Sequence, residues 1–102
     1  MKTLLCASSS IAEVKNALLS DIGAYLTHLR ITGSYISNGP LVNQEWLTRE
    51  ILRTVNNLSE GLHDYVPSVW FYEIIDDPKD RLFKLFRTIE IRDDKEAQKI
   101  YP

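Results

Sequence analysis

The stretch VWFYEII, residues 69–75, constrains the fold of this chain more than any other feature. Its β-branched and aromatic residues favour a strand, and neighbouring side chains of a strand point to opposite faces of the sheet. Alternation therefore places apolar side chains on both faces: Val69, Phe71 and Ile75 on one, and Trp70, Tyr72 and Ile74 on the other. A strand of this kind needs cover on both sides, or it leaves an apolar surface exposed.

A second strand is predicted shortly afterwards, because the run RTIEIR, residues 87–92, alternates strictly between polar and apolar side chains. The intervening DDPKD, residues 76–80, is typical of a turn. These signals favour a β-hairpin. A short helix over residues 78–86, with Pro78 at its first position, is the alternative that the pattern leaves open.

Two amphipathic helices are predicted before the hairpin. Ser10 and Glu13 have the spacing of a capping box, and a stripe of apolar residues at helical spacing follows them: Ile11, Val14, Leu18, Ile22, Tyr25, Leu26 and Leu29. The first helix is expected from about Ser10 to Ile31, with Gly33 as its stop. The second is expected between Asn43 and Gly61, with a second stripe: Leu47, Ile51, Val55, Leu58 and Leu62.

A short apolar run, residues 2–7, is compatible with a strand at the start of the chain. The sequence therefore predicts a small single α+β domain over residues 1–102 in the order β-α-α-β-β. Two amphipathic helices pack on one face of a small antiparallel sheet. Residues 93–102 are charged and are expected to fray.

Composition limits the function classes. The formal net charge of −2 argues against nucleic acid and membrane surfaces as general partners, since proteins that bind these carry net positive charge. No stretch approaches the roughly 20 apolar residues of a membrane span, and the run Leu4–Ala7 is too short for a signal peptide. With one cysteine and no disulfide framework, a cytoplasmic location is expected.

That cysteine, Cys6, precedes three serines and a helix start. A thiol at a helix N-terminus can be activated, and over about the first fifteen residues this opening resembles the cysteine-bearing phosphocarrier domains of sugar transport systems. Phosphate-binding loops of this kind use glycine or arginine. No glycine lies between Cys6 and Ile11, and Ala12 occupies the sixth position after Cys6. The preferred interpretation is a core thiol; a Cys6-dependent phosphocarrier or phosphatase-like enzyme is an alternative.

No other motif indicates catalysis, a cofactor or a metal. His28, His63 and Cys6 lack the spacing of metal ligands, and the carboxylates of residues 76–80 lack the spacing of a calcium loop. No catalytic, cofactor-binding or metal-binding residue is therefore assigned, and the chain is expected not to be an enzyme.

The two-sided apolar strand predicts an interaction surface instead. Two helices cover only one face of a small sheet, so an exposed aromatic patch is expected on the other face. Such a patch is expected to bind a partner, because tryptophan and tyrosine are favoured interface anchors. The expected partner-binding residues are Trp70, Tyr72 and Phe86, with Lys84 and Arg87 at the rim and Trp46 as a second surface aromatic. The expected partner is another protein, or a second copy in a homodimer.

The resulting hypothesis is a small non-catalytic protein-binding module that acts by occlusion or assembly. Inhibitor, immunity and antitoxin proteins are similar in size, charge and lack of motifs, which is an analogy of type. A single-stranded RNA-binding module is the alternative, because sheet aromatics stack on bases and Lys84 and Arg87 supply positive charge.

Overall fold

The observed order of elements is β-α-α-β-β, as the sequence predicts. The computed structural model describes residues 1–29 and 47–91, and its elements are β1 (Lys2–Ser8), α1 (Ile11–His28), α2 (Thr48–Leu62), β2 (Ser68–Asp77) and β3 (Leu82–Ile91). The three strands form one antiparallel sheet in the order β1-β3-β2. The fold class is therefore α+β. The predicted glycine stop at Gly33, the side chain of Trp46 and the expected fraying of residues 93–102 lie outside the described residues.

The hairpin prediction is confirmed, and residues 82–86 belong to β3 rather than to a helix. Asp77 pairs with Leu82 across the turn. The Asp77 carboxylate accepts hydrogen bonds from the backbone N–H groups of Lys79, at 2.9 Å, and Asp80, at 3.4 Å. Arg81 adopts a φ of 56° in the left-handed region, which closes the four-residue loop.

Helix α1 begins at its predicted cap. The Ser10 hydroxyl accepts a hydrogen bond from the Glu13 N–H at 3.4 Å, and the Glu13 carboxylate accepts one from the Ser8 hydroxyl at 2.6 Å. Ser8 thus joins the end of β1 to the first turn of the helix. The predicted stripe is buried at Val14, Leu18, Ile22, Tyr25, Leu26 and Leu29, whereas Ile11 at its start is 42% exposed.

Helix α2 lies along the outer edge of β2. The Asn56 side chain donates to the Tyr72 carbonyl and accepts from the Tyr72 N–H, both at 2.9 Å. The buried Ser59 hydroxyl donates to the Trp70 carbonyl at 2.5 Å. These side chains supply hydrogen bonds that a fourth strand would otherwise make, so α2 protects this edge from pairing with another strand. Gly61 lies inside the helix, which ends one residue later than predicted.

Most of the core lies between the helices and one face of the sheet, and Val69, 1% exposed, and Phe71 of the other face also pack against it. Ile51 and Val55 of α2 join the buried stripe of α1 and Leu85 of β3 in a single cluster. Neither helix of the described residues has the length and apolar character that crossing a membrane requires.

Candidate functional site

Trp70 and Tyr72 lie on the face of the sheet that α1 covers. Tyr72 is only 4% exposed, and Trp70 is half-buried. The indole of Trp70 stacks on the ring of Tyr25 with centroids 5.0 Å apart and on the imidazole of His28 at 5.5 Å. The expectation that both rings lie exposed is therefore corrected: α1 encloses Tyr72 and packs on Trp70.

A polar cluster completes the contact between α1 and this face. Asp21 of α1 accepts hydrogen bonds from Nη1 of Arg87 at 2.8 Å and from the Tyr72 hydroxyl at 2.6 Å. The Arg87 guanidinium also lies 4.5 Å from the centroid of the Trp70 ring, a cation–π distance. Burial, together with the hydrogen bond to Asp21, raises the pKa of the Tyr72 phenol. Arg87, expected at the rim of a surface patch, is thus engaged inside the domain.

Phe86 lies on the opposite face from Trp70 and Tyr72. In the observed register Glu73 pairs with Phe86, whereas Tyr72 pairs with Arg87. The four residues between Asp77 and Leu82 fix this register. A slip of one residue would turn every side chain of β3 to the other face. The predicted three-ring patch is therefore corrected to two rings facing α1 and one facing away.

The face that carries Phe86 is called the open face below. By register, all three strands contribute side chains to it: Lys2, Leu4 and Ala7 from β1, Val69, Phe71, Glu73, Ile75 and Asp77 from β2, and Leu82, Lys84, Phe86, Thr88 and Glu90 from β3. Leu4 is 50% exposed and Ile75 is 39% exposed, and the rings of Phe71 and Phe86 are half-buried. Phe71 packs against the core cluster and lines a pocket together with Glu60 of α2, so the C-terminal end of α2 borders this face.

Both lysines of the open face are held by carboxylates of the same chain. Lys2 pairs with Glu73 at 2.9 Å, and its ammonium lies 4.6 Å from the centroid of the Phe86 ring. Lys84 pairs with Asp77 at 2.9 Å and with Asp80 at 2.8 Å. Hydrogen bonds to Asp80 and Asp77 raise the pKa of Lys84 to about 12.

An open pocket of about 370 Å³ borders one end of the open face, near the C-terminal end of α2. We call it the acidic pocket, and it is lined by Glu60, His63, Asp64, Phe71 and Glu90. Nε2 of His63 lies 3.1 Å from the Glu90 carboxylate, and Nδ1 lies 3.4 Å from Asp64. His63 therefore connects the end of α2 to β3.

The remaining sequence candidates show no shared site in the described residues. Cys6 pairs with Leu85 on the face covered by α1 and packs against the core as a half-buried free thiol. Among residues 1–29 and 47–91, no group of three or more histidine, cysteine, aspartate or glutamate side chains has a geometry suited to a metal ion.

Sequence reasoning assigned Phe71 and Ile75 to one face of β2 but did not select that face as the surface. Both faces are apolar, and the choice between them depends on which one α1 covers. The acidic pocket was missed because Glu60 and Glu90 are far apart in sequence and meet only when α2 lies along β2. His63–Asp64 was the only part of it with a local signal.

Comparisons of this chain with protein-family models, with curated proteins and with solved structures found no significant match.

Proposed function

We propose that this protein is a small non-catalytic protein-binding module that acts by occluding or assembling its partner through the open face. One observation carries the proposal: Leu4, 50% exposed, and Ile75, 39% exposed, border two half-buried phenylalanine rings on one side of the sheet. Contiguous apolar surface rimmed by polar groups is typical of protein–protein contact sites.

The composition of the open face also favours a protein partner. Aromatic rings at the centre of an interface supply large contact area, while paired charges at its rim remain accessible to water. Phe71 and Phe86 fit the first role, and the pair Lys84–Asp77 near the turn fits the second, while the Lys2–Glu73 pair bridges the two outer strands across Phe86. Inhibitor, immunity and antitoxin proteins are similar in size, charge and lack of motifs, and the proposed module is of that type. A single unpaired cysteine fits a cytoplasmic setting for it.

Single-stranded RNA receives less support as a partner. The two cations expected to contact it are occupied, since Arg87 is bonded to Asp21 and Lys84 is bonded to Asp77 and Asp80. Trp70 and Tyr72, the rings expected to stack on bases, face α1.

The test compares two pairs of matched substitutions on the full chain. Leu4→Ser with Ile75→Ser removes exposed apolar groups from the open face. Ile11→Ser with Leu47→Ser removes an isoleucine that is 42% exposed and a leucine that is 61% exposed, neither of which belongs to that face. Urea denaturation first establishes that the two double variants have similar stability.

Each form then serves as bait for quantitative affinity capture from the native host, and the captured protein is purified for calorimetry. We expect a partner whose affinity falls at least about tenfold, or about 1.4 kcal/mol, in the open-face variant and stays unchanged in the control. A partner that binds both variants equally, or the capture of no protein that separates them, would refute the proposal. If the wild type binds a labelled single-stranded RNA and the Lys84→Ala variant does not, the RNA alternative replaces the protein-binding proposal.

A further inference from the structure

We propose that His63 acts as a pH-sensitive clasp between the C-terminal end of α2 and β3. As an imidazolium it donates to Glu90 and Asp64 together, and loss of its proton releases one of these contacts and weakens the other. The clasp depends only on contacts within the domain, so it is independent of whether the open face binds a partner.

Both ring nitrogens of His63 face carboxylates. Nε2 lies 3.1 Å from the Glu90 carboxylate on β3, and Nδ1 lies 3.4 Å from the carboxylate of Asp64, which follows it in the chain. A neutral imidazole carries one N–H group, whereas the imidazolium carries two. Only the protonated ring can therefore donate to both carboxylates at once.

The charges around His63 change in the same direction. Among the described residues that line the acidic pocket, the groups beside His63 are Glu60 of α2, Asp64, Phe71 of β2 and Glu90 of β3. Three of these are carboxylates, and the imidazolium offsets one of their charges. When the proton leaves, the like charges of Glu60 and Glu90, which lie on different elements, oppose each other without that counter-charge.

The clasp spans the short connection between α2 and β2. The backbone N–H groups of Tyr65 and Val66 both donate to the Leu62 carbonyl, at 2.9 Å and 3.2 Å, and so extend the end of the helix into this connection. Glu90 pairs with the second residue of β2, where the connection ends. The contact between His63 and Glu90 therefore joins the two ends of the connection, and weakening it should loosen the hydrogen bonds to Leu62.

The position of His63 suits a group that responds to pH. Its side chain is 41% exposed, so it exchanges its proton directly with water and needs no other reactant. Imidazole ordinarily changes its protonation between about pH 5 and pH 8, a range in which carboxylates are ordinarily ionised. The chain has two histidines, and Nε2 of the other, His28, lies 2.9 Å from the Ser68 hydroxyl. His28 is therefore a matched control.

A double-mutant cycle of His63→Ala with Glu90→Gln measures the clasp by urea denaturation of the full chain at about pH 5.5 and about pH 8. Because the groups are partly exposed, we expect a modest coupling: at least about threefold in the unfolding equilibrium constant at the lower pH and less than about 1.5-fold at the higher pH. The control cycle of His28→Ala with Glu90→Gln should give less than about 1.5-fold at both. Equal coupling of His63 and Glu90 at the two pH values, no coupling at either, or equal coupling in the control would overturn the inference.

Amide hydrogen exchange tests whether the end of α2 follows the clasp. Exchange of the Tyr65 and Val66 amides with water is measured by NMR and compared with the rates of an unstructured chain at the same pH. We expect their protection to fall at least about twofold between about pH 5.5 and pH 8 in the wild type and in His28→Ala, and to be low at both in His63→Ala. Protection that stays constant in the wild type, or that falls equally in His63→Ala, would overturn the inference.

Discussion

Replacing Asp21 should destabilise the fold more than replacing any exposed carboxylate, because two polar groups of the sheet depend on it. Its side chain is 18% exposed and that of Arg87 is 20% exposed. Removing one member of a fully buried pair costs about 3–5 kcal/mol, whereas an exposed pair contributes about 0–1 kcal/mol. With one fifth of each side chain in contact with solvent, the Arg87 pair should account for about 2 kcal/mol.

The Tyr72 hydroxyl adds to this cost, because it donates to Asp21 at 2.6 Å. Loss of the acceptor costs about 1 kcal/mol. Asp21→Ala should therefore lower the free energy of unfolding by about 3 kcal/mol. Asp21→Asn, which retains an acceptor of the same shape, should lower it by about 1–2 kcal/mol. Urea denaturation at neutral pH measures both, and Asp76→Ala is the control because Asp76 is exposed.

A double-mutant cycle with Arg87→Met tests whether the pair itself is responsible. Once Asp21 is absent, Arg87 is a partly buried cation without its counter-ion, so Arg87→Met should cost at least about 1 kcal/mol less than it does in the wild type. If the losses of unfolding free energy from the two substitutions simply add, the pair contributes nothing and the reasoning is wrong. The same holds if Asp21→Ala lowers the free energy of unfolding no more than Asp76→Ala does, because solvent then screens the pair.

Three further predictions concern the β2 edge and two of the groups whose pKa values are shifted, Tyr72 and Asp77. Asn56→Ala should lower the free energy of unfolding by about 2 kcal/mol, because two hydrogen bonds to Tyr72 are lost; unchanged hydrogen exchange at the Tyr72 amide would contradict this. Because burial raises the pKa of Tyr72 above its ordinary value of 10.0, the unfolded chain should ionise first. Urea denaturation should then show stability falling as the pH rises above that value, by up to about 1.4 kcal/mol per pH unit, and the fall should be smaller in Tyr72→Phe. The hydrogen bond from Lys84 lowers the pKa of Asp77 below 3.8, so its contribution is present above that value and is lost as the pH falls through the lowered pKa. Asp77→Asn should therefore be less stable than the wild type at neutral pH and differ from it least in strong acid, as followed by urea denaturation across that range.

The elements of this fold could be predicted from local patterns, because each helix stripe and each strand alternation is a property of consecutive residues. The assignment of Phe86 could not, because it depends on the parity of the hairpin loop. Four residues between Asp77 and Leu82 pair even positions of β2 with odd positions of β3, whereas a loop with an odd number of residues would put Phe86 on the same face as Trp70. The DDPKD sequence predicts a turn but does not indicate how many residues the loop contains.

Local sequence patterns could not predict which face of the sheet α1 covers either. Trp70 and Tyr72 face α1 because Asp21, Tyr25 and His28, spaced along that helix, supply partners for their polar atoms and rings. Asp21 and His28 flank the apolar stripe and look like ordinary surface residues in the sequence. An ion pair between an aspartate beside the apolar stripe of a helix and an arginine on a distant strand leaves no periodic pattern in the sequence.

The edges of the sheet indicate how a partner would dock. Asn56 and Ser59 of α2 occupy the outer edge of β2, so strand addition there would require displacing a helix. The register of β1 shifts between Leu4 and Cys6, and Lys2 lies near its start; bulges and lysines on edge strands both discourage pairing with another strand. A partner is therefore expected to bind across the open face through side chains, which agrees with an interface centred on Phe71 and Phe86. A complex in which the partner extends the sheet from β1 would contradict this expectation, and it would leave Leu4→Ser with Ile75→Ser without a reason to weaken binding.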